Sequence, residues 1–360
     1  MRRAEPWTAS QADGRVVHLV GRVTDEVFGF LGPATRALAE CGVQQAVVLV
    51  DDLRFRHLLP RFHDSVELVL TPAARNPLRR WQWALEAFRE VLAAGPVRAV
   101  QLHGTLPCLI GAWAAKRTGV EVALHYAPRG SASYGPLVDT GTLLRLITAS
   151  DDTPQRPALP LQPGIDLVET PVGPEFFEVE RNEARRPLVV TGNQFNNPRS
   201  AELFAQLAVL LGGEDLGLGF NWIGTADQGS MVRLKAAQVG VFPVRSAAER
   251  AQRLAAGWVY LAPGGSRGFP SLLVEAMAVG LPCVAVDTPY HRDVIRPGET
   301  GFLCTSEREI VGCIAKLIDS PELRQRMGAA ARAEADRRFG EAKFRDSLFA
   351  AYHLRVEPRG

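Results

Sequence analysis

No run of about 18 apolar residues occurs anywhere in the 360-residue chain, so no segment is expected to cross a membrane as a helix. Cysteine is sparse: Cys41, Cys108, Cys283, Cys304 and Cys313 stand far apart, without a C-x-x-C. An odd, scattered set of this kind reads as buried free thiols in a reducing compartment. The opening stretch, MRRAEPWTASQADGR, lacks the apolar core of a signal peptide, and a cytoplasmic protein is expected. Lysine is scarce too, so the positive charge is almost all arginine. Arginine suits bidentate phosphate contacts, although a GC-rich genome would give the same bias. With 41 basic against 39 acidic residues the net charge is only +2, which gives no support to bulk nucleic-acid binding.

What is present is a globular composition, 46% hydrophobic and 22% charged, in a chain long enough for two ordinary domains. Apolar runs of strand length alternate with helical patterns. VVHLV (16–20), AVVLV (46–50), ELVL (67–70), RAVQLH (98–103) and VEVALHY (120–126) read as strands. Helices are expected over 33–41, 78–94 and 107–117. Continuous Val/Leu runs separated by single helices indicate parallel strands covered on both faces, a doubly wound sheet. From about 150 to 187 the chain is rich in proline and acidic residues and reads as a connector. Alternation then resumes: strands at 187–192, 220–224, 241–244, WVYLAP and PCVAVD, with helices over 199–211, 230–238, 246–256 and 271–279 between them. The last 55 residues read as helical. The expected division is 1–170, 171–340, and a final helical segment 341–360 that returns to the first domain.

In open parallel sheets ligands sit beyond the carboxyl ends of the strands. The most informative strand-to-helix junction is YLAPGGSRGFPSLLVEAMAVGLPCVAVD (260–287). Gly264, Gly265 and Gly268 remove side chains where backbone approaches a ligand. Pro270 stands where a first helical turn begins, and Ser271 can help satisfy the free amides there. The helix N-terminus is then a ready place for phosphate or sugar hydroxyls. Glu275 lies among Leu272, Leu273, Ala276 and Met277, so its carboxylate needs a specific hydrogen-bond partner. By spacing alone a plain Gly-rich turn explains the loop equally well, and Glu275 suits a surface position as well.

The string RGFPSLLVEAMAVGLPCVAVDTPYHRDVIRPGETGFLC resembles the signature segment of the family-4 retaining glycosyltransferases, also described as glycosyl transferases group 1. VGRVTDEVFGFLGPATRALAECGV resembles the first strand, glycine loop and helix of that family's acceptor domain, with Gly29 and Gly32 in the loop. VQLHG (100–104) and ALHYAPRG (123–130) resemble its two His-bearing strand ends. The resemblance implies a GT-B fold: two Rossmann-like α/β domains, each a doubly wound parallel sheet, facing a central cleft. It implies a nucleotide-sugar donor, no cofactor and no metal. Glu275 would bind the ribose hydroxyls, and Gly268, Phe269, Pro270 and Ser271 the transferred sugar or its phosphate. His103 or His125 would face the reacting centre; either also suits a packed strand end, and His125 is preferred because it is read as ending a buried strand.

Two positions depart from the family's pattern. Arg267 stands where a Glu is usual, eight residues before Glu275, and Asn193 where an Arg is usual after the glycine of the first C-terminal strand. Arg199 is the only nearby cation, one residue after the usual Lys. Cleaving a sugar–phosphate bond builds charge on the leaving diphosphate, so Arg267 and Arg199 are candidates for a rebuilt cationic clamp. The expected function is retaining, metal-independent transfer to a glycan or lipid-linked acceptor. The rivals are a non-catalytic GT-B scaffold or regulatory subunit and a nucleotide-sugar epimerase. Arg75, Arg79 and Arg80 precede Trp81 and Trp83 at a helix start, an edge suited to anionic headgroups at the inner membrane face, or else a solvated helix with one Trp packed inside.

Overall fold

The computed structural model describes residues 7–9, 14–20, 25–50, 53–72, 76–103, 111, 114, 123–127, 144–148, 165–192, 198–212, 217–264, 269–351 and 356–358. It divides into two compact units, Met1–Pro171 with Phe344–Gly360, and Val172–Lys343.

In the first unit, strand β1 (Trp7–Ala9) stands apart from the main sheet. The sheet is built from β2 (Arg15–Val20), β3 (Gln45–Val50), β4 (Val66–Thr71), β5 (Val97–His103), β6 (Ala123–Ala127), β7 (Leu144–Thr148) and β8 (Ile165–Leu167). They lie in the order β4-β3-β2-β5-β6-β7-β8, all parallel. Helices α1 (Asp25–Glu40) and α2 (Pro77–Ala93) cover the sheet, and a 3₁₀ helix spans Leu53–Arg61. Alternate residues of β2 explain the unbroken apolar run: Val17 and Leu19 pack with Phe88 and Leu92 of α2, while Val16 packs with Phe30 and Leu38 of α1.

The second unit opens with the short helix α3 (Pro174–Glu178). Its sheet comprises β9 (Leu188–Gly192), β10 (Gly219–Ile223), β11 (Gly240–Phe242), β12 (Val259–Ala262), β13 (Cys283–Val286) and β14 (Gly301–Cys304). The order is β11-β10-β9-β12-β13-β14, again parallel. Between the strands run α4 (Pro198–Gly212), α5 (Gln228–Ala236), α6 (Ala247–Ala255), α7 (Ser271–Val279) and α8 (Pro289–Arg292). Helices α9 (Glu307–Asp319) and α10 (Pro321–Phe339) follow β14. Trp222, fully buried, anchors one face with Phe204 and Leu261. Met277, Val279 and Phe339 fill the other.

Gly280 closes α7 in the left-handed region at φ 87°, and the Leu281 amide donates to Ala276 O at 3.0 Å. Against that cap lies Gly328 of α10, where a Cβ would collide with the Gly280 carbonyl oxygen. The close approach of α10 to the end of α7 therefore depends on both glycines. The last helix, α11 (Glu341–Ala351), sets Phe344 edge-on against Phe30 and pairs Arg345 with Glu40 at 2.6 Å. Strand β15 (Val356–Pro358) then pairs antiparallel with β1.

Several sequence expectations change. Helix α1 begins at Asp25, not at 33, because Phe28, Phe30 and Leu31 already bury a helical face and Pro33 sits inside the helix. Gly29 and Gly32 are therefore helical residues, not a loop, and Gly32 lies tight against the Phe28 ring. Strand β7 falls in a stretch to which the sequence pattern assigns no element, and β8 in the stretch read as a connector. Of the helix expected over 107–117, only Gly111 and Ala114 are among the described residues, and both are helical.

Candidate functional site

The order of the second sheet places its switch point between β9 and β12. From β9 the chain steps outward to β11, then crosses back to build the other half from β12. In an open parallel sheet the carboxyl edge at such a switch point is where ligands are expected to bind. Strand β9 ends at Gly192 and α4 begins at Pro198; β12 ends at Ala262 and α7 begins at Ser271. The buried Ser200 hydroxyl donates to the Gly264 carbonyl at 2.6 Å, joining the start of α4 to the loop before α7. Gly264 has φ +81°, and a Cβ there would stand 3.1 Å from the Val286 side chain, so both conformation and space call for glycine. At Gly192 a Cβ would lie 3.0 Å from Leu272 Cδ1 and 3.1 Å from Ile223 O. Glycine thus lets the first turn of α7 settle onto β9.

The start of α7 differs from those of its neighbours. Asp227, Ser246, Thr288, Ser306 and Ser320 each accept a backbone N–H to cap α5, α6, α8, α9 and α10. The N-cap of α7 is Pro270, which makes no side-chain cap hydrogen bond. Pro270 is thus one position earlier than expected, and Ser271 is the first helical residue, its amide donating to Phe269 O at 2.9 Å. The expected capping by Ser271 is not found. Phe269 turns into the core, its ring 5.4 Å from that of Phe339 in an edge-to-face contact.

Glu275 has the partner that its apolar surroundings demanded. Arg250 of α6 forms a two-pronged pair: Nε–H donates to Oε2 at 2.7 Å and Nη2–H to Oε1 at 2.8 Å. The Glu275 side chain is 12% exposed, that of Arg250 27%. Burial raises the Glu275 carboxyl above the ordinary glutamate range, against the opposing pull of the guanidinium. Burial would lower the Arg250 pKa, but the Glu275 carboxylate outweighs it and holds the guanidinium above its ordinary value. Arg250 also lies over the Phe176 ring of α3, 5.4 Å from its centroid. Sequence reasoning asked for a partner without finding it. Its signal was a charged residue one turn before Leu254, on the face that α6 buries.

At the end of β13, His291 donates from Nδ1 to the Val286 carbonyl at 2.6 Å, which leaves Nε2 as an acceptor. Burial lowers its pKa, so the ring is neutral near pH 7. This histidine too was missed, since nothing in TPYHRD marks it apart from a packed residue.

The other expected residues separate. Arg199 is exposed in the first turn of α4, at the same edge as Gly264 and Phe269. Asn193, Arg267 and Gly268 lie outside the described residues, as does Arg75. In the first unit, His103 is the last residue of β5 and is buried, its ring stacked 5.8 Å from that of His18. His125 does not end its strand: β6 continues to Ala127, because Tyr126 pairs with His103 and Ala127 with Thr148. Its side chain lies outside the described residues. On α2, Arg79 is exposed and Arg80 and Trp81 half-buried, while Trp83 is 37% and Leu78 81% exposed. Neither Trp81 nor Trp83 is packed in the core. No helix among the described residues is long and apolar enough to cross a membrane.

Two parallel doubly wound units, with a glycine loop and a buried glutamate at the switch point of the second, define the GT-B fold seen in solved glycosyltransferases. The structure superposes on a glycosyltransferase from Rickettsia africae with a TM-score of 0.76 at 12% identity, covering 94% of this chain and 98% of that one. It also superposes on HepE of Anabaena, solved with UDP and glucose, with a TM-score of 0.72 at 14% identity, covering 95% and 100%. Residues 233–334 match the family of glycosyl transferases group 1. A phosphatidyl-myo-inositol mannosyltransferase of Mycobacterium leprae is 37% identical over 97 residues, 26% of each chain. The chain thus matches about a quarter of the length of these curated relatives.

Proposed function

We propose that this protein is a glycosyltransferase whose second unit holds a nucleotide-sugar donor at the carboxyl edge of its sheet. One observation carries the reading: at the β9/β12 switch point, Ser200 ties the Gly264 loop to α4 while the Arg250 fork holds the Glu275 carboxyl just inside α7. The group-1 match over residues 233–334 and a structural neighbour that binds UDP support it. Glu275 would receive ribose hydroxyls, and the start of α7 the sugar or its phosphate. Arg199, with Arg267, would face the leaving diphosphate. The finer reading is a retaining transfer without metal to a hydroxyl of a glycan or lipid-linked acceptor. The acceptor oxygen bonds to the anomeric carbon as the bond to the diphosphate breaks, and its proton passes to a donor phosphate oxygen on the same face.

Thermal shift against UDP-, GDP-, ADP- and dTDP-sugars tests this. One donor class should raise the melting temperature by several degrees, since ligand at about 100 times Kd adds roughly 2.7 kcal/mol, and Glu275→Gln should abolish the rise. No rise with any donor would remove the reading. Turnover in EDTA and the anomeric configuration of the product decide its finer parts.

The exposed start of α2, with Leu78 outward beside Arg79, supports a further element of the proposal, contact with an anionic membrane surface. Co-sedimentation with phosphatidylglycerol vesicles at low salt should fall when Leu78→Asp is combined with Arg79→Glu; absence of binding by the wild type ends the idea.

A further inference from the structure

The geometry points to Arg250 as a positioning residue that sets how Glu275 meets the ribose of the donor and so makes the site selective for ribonucleotides. The inference rests on the donor reading above and adds to it a residue from a different helix. Arg250 belongs to α6 and Glu275 to α7, and the pair is two parallel hydrogen bonds of 2.7 and 2.8 Å. A guanidinium fork of this kind fixes the carboxylate plane, whereas a point charge fixes only distance. The fork is itself held, because Arg250 lies over the Phe176 ring.

A carboxylate has about four lone-pair sites, two on each oxygen. The fork takes one on each oxygen and leaves one on each. The outer lone pairs that remain point to opposite sides of the carboxylate, so one of them is left to accept from a single ribose hydroxyl, here the 2′-OH. Glu275 can serve this way only while ionised, since a protonated carboxyl turns one oxygen into a donor. The surroundings work against ionisation: Glu275 is buried and Glu175 of α3 adds like charge. Arg250 is the cation that opposes them. Without it, the carboxylate is expected to lose its fixed plane and the cation that favours its charged form.

The experiment is calorimetry with UDP and 2′-deoxy-UDP, and with GDP and 2′-deoxy-GDP, on wild type, Arg250→Met, Arg250→Lys and Glu275→Gln. Wild type should bind the ribonucleotide of one base about tenfold more tightly than its deoxy form. Arg250→Met should bring that ratio close to one, mostly by weakening the ribonucleotide, and Arg250→Lys should keep part of it. A merely structural role would weaken both ligands together and leave the ratio unchanged. A wild-type ratio in Arg250→Met overturns the inference for Arg250 and leaves Glu275 in its role. If Arg250→Met does not fold, a full wild-type ratio in Arg250→Lys overturns it equally. A wild type with no preference, or a preference retained by Glu275→Gln, removes the reading of Glu275 itself.

Discussion

The two units solve one topological problem with opposite uses of polar side chains. Each sheet reverses its strand order once, between β2 and β5 in the first unit and between β9 and β12 in the second. In the first, the strands at the reversal carry imidazoles and amides inside the sheet: His18, Gln101 and His103, with Gln45 on the neighbouring β3, all buried. In the second, the same strands are nearly apolar, with Thr191 bonded to the Leu261 carbonyl at 2.7 Å. The polar groups there sit beyond the strand ends instead, as the Ser200–Gly264 bond and the Arg250–Glu275 pair. Polar groups within a sheet define one packing, because each must be satisfied locally. Polar groups past the strand ends are where ligands reach. The same scaffold thus serves a specified core in one unit and, on the function proposed above, a binding edge in the other.

The largest effect that separates the two comes from His18. Gln45 donates from Nε2 to the Thr35 carbonyl at 2.8 Å, which turns its Oε1 towards His18 Nε2 at 3.3 Å. His18 therefore carries its proton on Nε2 and is neutral, and burial pulls its pKa down to about 4 against the pull of Gln45 and Gln101. Between pH 6.5 and 4 the unfolded chain binds a proton that the folded chain refuses. The contribution of neutral His18 is therefore complete above pH 6.5 and is lost as the pH falls through that window, by about 3 kcal/mol in all. Urea unfolding of wild type and His18→Gln at pH 7 and pH 4 measures it. The wild type should lose about 3 kcal/mol more than the variant over that interval. Parallel losses would mean that the buried imidazole does not distinguish the first unit. His291, also buried and depressed, remains in both proteins and cancels in the difference.

Most of this architecture was legible where apolar runs are continuous, because strands covered on both faces must be apolar throughout. β2, β3, β9, β12 and β13 are of that kind. The parts that were not legible depend on partners distant in the chain. Strands β7 and β8 are added by pairing at one side of the sheet, and Ile165–Leu167 is too short to show a period. β1 and β15 lie at opposite ends of the sequence and find each other only in the fold. The sequence pattern starts the first helix at 33, although three-dimensional packing carries α1 well before it. At the site, the need of Glu275 for a partner followed from its apolar neighbours. That the partner is Arg250 followed only from how α6 packs beside α7. The reading of His125 as the end of its strand failed for a similar reason, since the end of β6 is set by pairing with β5 and β7 rather than by its own residues.

A smaller effect sharpens the comparison from the other side. If polar groups at the carboxyl edge of the second unit serve a ligand more than the fold, removing one should affect binding more than stability. Ser200→Ala is the cleanest case, since it deletes one hydroxyl and leaves the Gly264 carbonyl without that donor. Loss of a single hydrogen bond of this kind costs about 1 kcal/mol, a few degrees of melting temperature. Nothing in the apolar interior of the sheet needs to move. The loop before α7, however, loses its tie to α4, so the first turn of α7 and Arg199 are no longer held together at one edge. We expect nucleoside diphosphate affinity, measured by calorimetry, to fall several-fold at a temperature where the variant is fully folded. Unchanged affinity with the same small loss of stability would place Ser200 with the core groups of the first unit, as a residue that secures packing alone.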